Sequence, residues 1–245
     1  MIIQLLKKLY KKILYGYKSS SKSYVKYLNK KGITIGNNVT FYEPNTNYID
    51  TQKPWMIKIG NNVEITRGVV IITHDYSWSV IKQLEGNIIG SRGKVTIGDN
   101  VFIGMNTVIM KGVTIGSNVI IGANTLVNKD IPDNTVVGGS PVKIISNLNS
   151  YIEKRKKEYI KDAEELFMEY YKKYNTIPKK DLFDEFFWIF EKRNLSNLPK
   201  SFLIKMALTG NEQITKKNFL ESTPTFNGYE EFTEYCIRRD GQLNE

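Results

Sequence analysis

The chain has 245 residues, 41% hydrophobic and 24% charged, enough for one large domain or two smaller ones with buried cores. Its lone cysteine, Cys236, excludes a disulfide framework and reads as a small core residue in a reducing compartment. No run of about 18 apolar residues is present, which excludes a membrane-spanning helix. The net charge of +10 is concentrated in residues 1–31, which hold nine lysines and no acid.

The first segment, "MIIQLLKKLYKKILYGY", sets Ile2, Ile3, Leu5, Leu6, Leu9, Tyr10, Ile13 and Leu14 on one helical face, with Lys7, Lys8, Lys11 and Lys12 on its flanks. It lacks the uninterrupted apolar core of a signal peptide. A basic amphipathic helix of this kind suits the inner-leaflet surface of a membrane, through residues 1–17. The same apolar face is equally suited to packing on the rest of the protein or on a neighbouring subunit, and sequence leaves both open. Lysines on a helix with no recognisable binding module argue against nucleic acid.

The middle of the chain repeats every six residues: Ile97, Ile103, Ile109, Ile115, Ile121 and Val127. Four residues after each comes Val101, Thr107, Val113, Val119, Thr125 or Ile131, and the phase is already present at Ile59, Ile65 and Ile71 and at Ile35. Between Ile35 and Ile59 the matches are poor, so that stretch is expected to be irregular. A helix would need period 3.6 and fewer β-branched residues. Period six instead predicts short strands joined by turns, three to a triangular coil, with glycine or asparagine at corners where positive φ is required. No coil buries its inner face alone, so the coils must stack as a solenoid.

The phase breaks once, between Ile71 and Ile97, predicting a loop insertion over about residues 74–93. It opens "THDYSWSV", and His74 is the only histidine in the chain. From about Asn149 the pattern turns helical, with a long helix over 151–175 and shorter ones around 181–193, 198–208 and 229–238. The aromatic run Phe183, Phe186, Phe187, Trp188 and Phe190 reads as a packing face. The expected organisation is a basic amphipathic helical segment over 1–31, a repeat domain over 32–148 and an α-helical region over 149–245.

The stretch "KVTIGDNVFIGMNTVIMKGVTIGSNVIIGANTLVNKDIPDNTVVGGSPVKII" resembles the hexapeptide-repeat acyltransferases, and within them the sugar O-acetyltransferases that include the galactoside and maltose enzymes. "THDYSWSV" is similar to loops of capsular and exopolysaccharide acetyltransferases. The resemblance covers roughly residues 30–146. It implies a mainly β fold, a left-handed parallel β-helix, in a homotrimer with acetyl-CoA as co-substrate between subunits. The hand comes from the resemblance alone, since the usual crossover rule favours the right.

The resemblance also implies that His74 is the catalytic base. An acceptor hydroxyl must lose its proton as it attacks the thioester, and an imidazole, ordinarily titrating at about 6.5, can take it at neutral pH. Outside that context a solitary loop histidine would be unremarkable. For the donor, the resemblance maps CoA contacts onto Met105 and Ala123, the pair Asn128 and Lys129, and Lys143. Met105 departs from the small residue usual at its position. For the acceptor it points to Asn45, with Asn47 close by, and to Phe102 beside the acyl site. From the loop itself, Asp75 adjoins the histidine, and Trp78 suits either stacking on the apolar face of a sugar ring or simple loop packing. The ring partner of His74 is open: Asp75 is awkwardly adjacent, and a carboxylate or carbonyl from another coil would serve as well.

One histidine cannot supply the three metal ligands of the γ-class carbonic anhydrases, so no metal is expected. Residues 1–30 are too short for a nucleotide-binding domain or for the large helical domain of serine acetyltransferases. The expectation is therefore a cytoplasmic O-acetyltransferase, peripheral on the inner membrane face if the first helix binds lipid. It would act on a sugar hydroxyl in capsule, exopolysaccharide or O-antigen biosynthesis. An N-acyltransferase acting on an amino sugar or nucleotide sugar is the enzymatic rival, and a catalytically silent scaffold or binding module the non-enzymatic one.

Overall fold

In the computed structural model, which describes residues 2–243, the period-six segment forms three parallel sheets stacked as the faces of a prism. The first face carries Thr34–Ile35, Ile57–Ile59, Val95–Ile97 and Thr114–Ile115. The second carries Thr40–Phe41, Val63–Ile65, Val101–Ile103, Val119–Ile121 and Thr135–Gly138, with Lys143–Asn147 returning antiparallel beside the last. The third carries Tyr48–Ile49, Val70–Ile71, Val108–Ile109 and Leu126–Val127. Thr96 pairs with Thr114, Val101 with Val119 and Val108 with Leu126, so three six-residue units close each rung. Both apolar series point inward: Ile97, Ile103, Ile109, Ile115, Ile121 and Val127 are buried, as are Val101, Thr107, Val113, Val119, Thr125 and Ile131. Each buried aliphatic side chain contributes roughly 1.5–3 kcal/mol against exposure.

At the corner between the first and second faces, positive φ falls on asparagines: Asn38, Asn62, Asn100, Asn118 and Asn134. Asparagine visits that region more readily than other side-chain-bearing residues. Its amide also reaches along the stack, from Asn100 Nδ2 to Asn118 Oδ1 at 2.8 Å and from Asn118 Nδ2 to Asn134 Oδ1 at 3.0 Å. The glycines here do something else. A Cβ at Gly98 would sit 2.7 Å from the backbone of Gly116 in the next rung, so glycine is needed for close approach rather than for φ.

The irregular stretch before Ile59 holds 3₁₀ turns at Pro44–Thr46 and Pro54–Met56. They lengthen the first rung, so that Ile35 pairs with Ile59 and Ile49 with Ile71. The N-terminal segment forms two helices, α1 (Ile2–Tyr15) and α2 (Ser21–Lys31). Ser20 and Ser23 cap the start of α2 reciprocally, and Gly32 ends it in the left-handed conformation. α2 packs on the first rung, with Tyr24 and Leu28 buried and the Tyr24 ring set edge-on to Phe41. Side chains 2–5, 7, 8 and 240–243 are not described, so the face assignments of Ile2, Ile3, Leu5, Lys7 and Lys8 lie outside the described residues.

The insertion leaves the third face as a short ribbon. His74 pairs with Arg92 and Asp75 with Ser91, and Gly93 N donates to Thr73 O at 2.9 Å. Between the two strands lies α3 (Trp78–Glu85), a helix that the loop expectation did not include.

The chain divides into two compact units, residues 1–151 and 152–245, so the basic segment belongs with the sheets whose end α2 covers. The second unit is helical, with most of α4 (Leu148–Tyr174) followed by α5 (Lys200–Ala207), α6 (Glu212–Glu221) and α7 (Tyr229–Leu243). Residues 181–193 were expected to form a helix. They form only short 3₁₀ turns, Lys180–Leu182 and Phe187–Ile189: the consecutive residues Phe187, Trp188, Ile189 and Phe190 all pack into one core, and no single helical face could deliver them together. Cys236 is buried in that core, and burial pushes its thiol up to about 12, an unreactive value.

Candidate active site

The strand Tyr48–Ile49 lies beside Val70–Ile71 on the third face, which brings the residues following each strand together at the next corner. There His74 Nδ1 lies 2.7 Å from Asp50 Oδ2. The Asp50 carboxylate is fully buried and also accepts from Gln52 N at 2.9 Å, Thr73 N at 3.2 Å and the Thr73 hydroxyl. Burial alone would raise its pKa. The hydrogen bonds from Thr73, Gln52 and His74 outweigh that and hold it below the ordinary carboxylate value.

An ionised carboxylate only accepts, so the proton between the two groups belongs to Nδ1 of His74. That fixes the neutral tautomer and leaves the Nε2 lone pair available. The His74 side chain is 9% exposed, and Nε2 takes no partner among the described residues. The Tyr76 ring stands edge-on to the imidazole at 5.3 Å, and Gln52 Nε2 donates to the Tyr76 hydroxyl at 3.1 Å. A nearly buried imidazole with one nitrogen clamped by a carboxylate and the other open is built to take up and return a proton.

The other candidate residues fall into two groups. Around the His74 corner, Asp75 accepts from Ser77 N at 3.0 Å and forms an ion pair with Lys111, fastening the ribbon to the stack. It is thereby occupied elsewhere and does not orient the ring. Trp78 opens α3, half-buried, with its ring 6.0 Å from that of Tyr76. Asn128 and Lys129 follow the third-face strand Leu126–Val127 and are exposed at the same corner two rungs on.

Asn45, Met105 and Ala123 lie instead at the corner between the second and third faces, all exposed. A Cβ at Gly104 would stand 2.5 Å from Ala123 N, so the rungs touch backbone to backbone beneath that corner. Phe102, 42% exposed, projects from the second face, and Lys143, exposed, pairs with Gly138 where that face ends. Asn47 is buried: its Oδ1 accepts from Val69 N at 2.8 Å and its carbonyl from Lys18 Nζ at 2.6 Å, so it braces the corner. One prism thus presents its two groups at different edges. Among the described residues, no cluster of three or more histidine, cysteine, aspartate or glutamate side chains is placed to hold a metal ion.

Asp50 and Tyr76 are the residues that sequence reasoning missed. Tyr76 lay within the quoted loop, two residues from the histidine. Asp50 had no such signal, because its pairing with the His74 rung depends on the lengthened first rung.

Comparison with known proteins matches residues 94–129 to the family described as bacterial transferase hexapeptide (six repeats). Protein CapG of Staphylococcus aureus is 40% identical over 146 residues, 60% of this chain and 81% of that protein. Galactoside O-acetyltransferase of Escherichia coli K12 is 34% identical over 108 residues, 44% of this chain and 51% of that protein. The solved maltose O-acetyltransferase of Clostridium difficile 630 aligns at 28% identity with a TM-score of 0.42, over 60% of this chain and 88% of that one.

Proposed function

The chain belongs to the hexapeptide-repeat acyltransferases, and from that premise we propose that it transfers an acetyl group from acetyl-CoA to a sugar hydroxyl. The observation that carries this reading is the His74 ring, clamped at Nδ1 by Asp50 and open at Nε2. Nε2 takes the proton of the acceptor hydroxyl while that oxygen bonds to the thioester carbonyl carbon. The tetrahedral adduct then collapses, the C–S bond breaks, and the proton on Nε2 passes to the departing CoA thiolate. The products are an O-acetyl sugar and free CoA, and no nucleophilic side chain takes part.

The donor site in this proposal lies between subunits of a left-handed β-helix trimer. Its support is the division of candidates between two edges. His74, Asn128 and Lys129 on one edge of a copy would face Met105, Ala123, Phe102 and Lys143 of a neighbouring copy. Lys129 and Lys143 would face the CoA phosphates. Trp78 and Tyr76 would offer rings to the apolar face of the sugar, with Asp75 and Asn45 at its hydroxyls. We assign the acceptor to surface-polysaccharide biosynthesis, on the likeness of the His74 loop to capsular and exopolysaccharide enzymes. We place the enzyme in the cytoplasm, where an unpaired buried thiol such as Cys236 is at home.

The test is release of free CoA thiol from acetyl-CoA in the presence of a panel of glycan acceptors bearing free hydroxyls or free amines. Hydroxyl-dependent release is expected, and Trp78→Ala should raise the acceptor KM about three- to tenfold with little change in that for acetyl-CoA. Release only with amines would overturn the O-transfer assignment. An absence of CoA binding by calorimetry would overturn the acyltransferase assignment itself.

A further inference from the structure

The two N-terminal helices differ in where their apolar faces go. α2 spends its face on the protein, burying Tyr24 and Leu28. α1 does not. Its main contact is the Gly16–Lys18 turn, and Leu6, Leu9, Tyr10, Ile13 and Leu14 are all exposed, Ile13 at 77%. Among the described residues the face is not used within its own chain, which removes one alternative left open by the sequence. The joint between the helices is firm: the Tyr17 ring stacks on Tyr27 at 3.7 Å, and Lys18 Nζ donates to Asn47 O at 2.6 Å. α1 is therefore held out from the first rung.

The charge around that face selects its occupant. Residues 1–31 carry nine lysines and no acid. Lys18 is committed to Asn47 and Lys31 lies over the Tyr27 ring, but Lys11, Lys12, Lys22, Lys26 and Lys30 are exposed and make no ion pair among the described residues. A second copy would bring the same cations against them, so self-association through this face is opposed. An anionic surface is favoured. At 14 residues α1 is about 21 Å long, too short to cross a hydrocarbon core of about 30 Å. No helix among the described residues is long and apolar enough to cross a membrane. Leucine and isoleucine on one side, lysine on the other and tyrosines at the end suit a helix lying in the plane of the interface.

We propose that α1 docks the protein on an anionic lipid bilayer, with Leu6, Leu9, Tyr10, Ile13 and Leu14 entering the headgroup boundary and the exposed lysines facing acidic lipid. Docking and acyl transfer are separable, which makes the test clean. Full-length protein is floated with vesicles of phosphatidylcholine alone or with about 30% phosphatidylglycerol. Wild type is expected to bind the anionic vesicles and to lose binding on neutral ones and in high salt. Leu9→Glu with Ile13→Glu should weaken binding at least tenfold, and Lys11→Gln with Lys12→Gln by roughly fivefold per lysine. Turnover on a soluble acceptor should be unchanged in both variants.

Absence of binding by the wild type, or equal binding by the apolar double variant, would overturn the proposal. So would a concentration-dependent rise in mass that this variant abolishes, because the face would then be covered by another copy. A loss of turnover on the soluble acceptor in that variant would assign α1 to the catalytic assembly instead.

Discussion

His74→Ala is expected to lower kcat by about 10²–10⁴-fold while leaving acetyl-CoA affinity unchanged, as measured by thiol release and by calorimetry. The size follows from what is removed. Without Nε2, the acceptor oxygen must attack while still protonated or lose its proton to water, and the departing thiolate has no positioned acid. Substrate positioning survives, which is why the loss stops short of the uncatalysed rate. CoA affinity should hold because the imidazole acts at the reacting end of the donor, whereas the residues assigned to CoA lie elsewhere on the stack. Equal turnover in both proteins would make the histidine–aspartate pair a structural clasp for the ribbon and would remove the chemical basis of the proposed function.

Asp50→Asn should be nearly as damaging to rate and far gentler on structure. With its oxygen in the Oδ1 position the amide still accepts from Gln52 N and keeps the shape of the side chain, so the corner should persist at the cost of the Thr73 N bond to the Oδ2 position. The amide N–H₂, however, can donate to Nδ1, which would move the imidazole proton to Nε2 and abolish the base. In the Ser-His-Asp arrangement the same change costs about 10⁴-fold. Between about tenfold and 10⁴-fold is expected here, with the acceptor KM little altered.

The same variant carries a pH signature. Burial pulls the Asp50 pKa up, the Thr73, Gln52 and His74 hydrogen bonds pull it down, and the net displacement is downward. A depressed folded pKa contributes stability above the unfolded value of about 3.9, and that contribution is lost as pH falls through the folded value. Urea unfolding should therefore show wild type losing its advantage over Asp50→Asn as pH drops below about 4. An advantage that stayed constant to lower pH would mean that the carboxylate is not held ionised by these bonds.

Most of the repeat domain could be read from residues alone, because a period of six in β-branched residues is a consequence of inward stacking that no helix shares. Ile97 through Val127 are buried where that spacing puts them. The corners were half legible. Glycine and asparagine were both expected to supply positive φ, and both do, Gly68 and Gly112 beside the asparagines, but Gly98 and Gly104 serve another end and let rungs approach. The histidine could be singled out because it is alone and begins the insertion. Its partner could not, since Asp50 reaches it only through a first rung lengthened by the Pro44–Thr46 and Pro54–Met56 turns. In the second unit, local periodicity failed at 181–193 because a phenylalanine-rich core fixes the backbone through tertiary packing rather than propensity.

Stacked parallel strands end in unpaired backbone, and an open edge of that kind is a template on which another chain can add. The N-terminal segment plugs this edge as well as covering it. Ser21 Oγ accepts from Phe41 N at 2.9 Å, and Lys18 Nζ donates to the Asn47 carbonyl, both on the outermost rung. The segment thus has a break point between two duties. Removing residues 1–17 should leave a well-behaved monodisperse protein, whereas removing residues 1–31 should expose a sticky terminus. Light scattering would then register end-to-end growth into filaments, the fate of a repeat array that has lost its stopper.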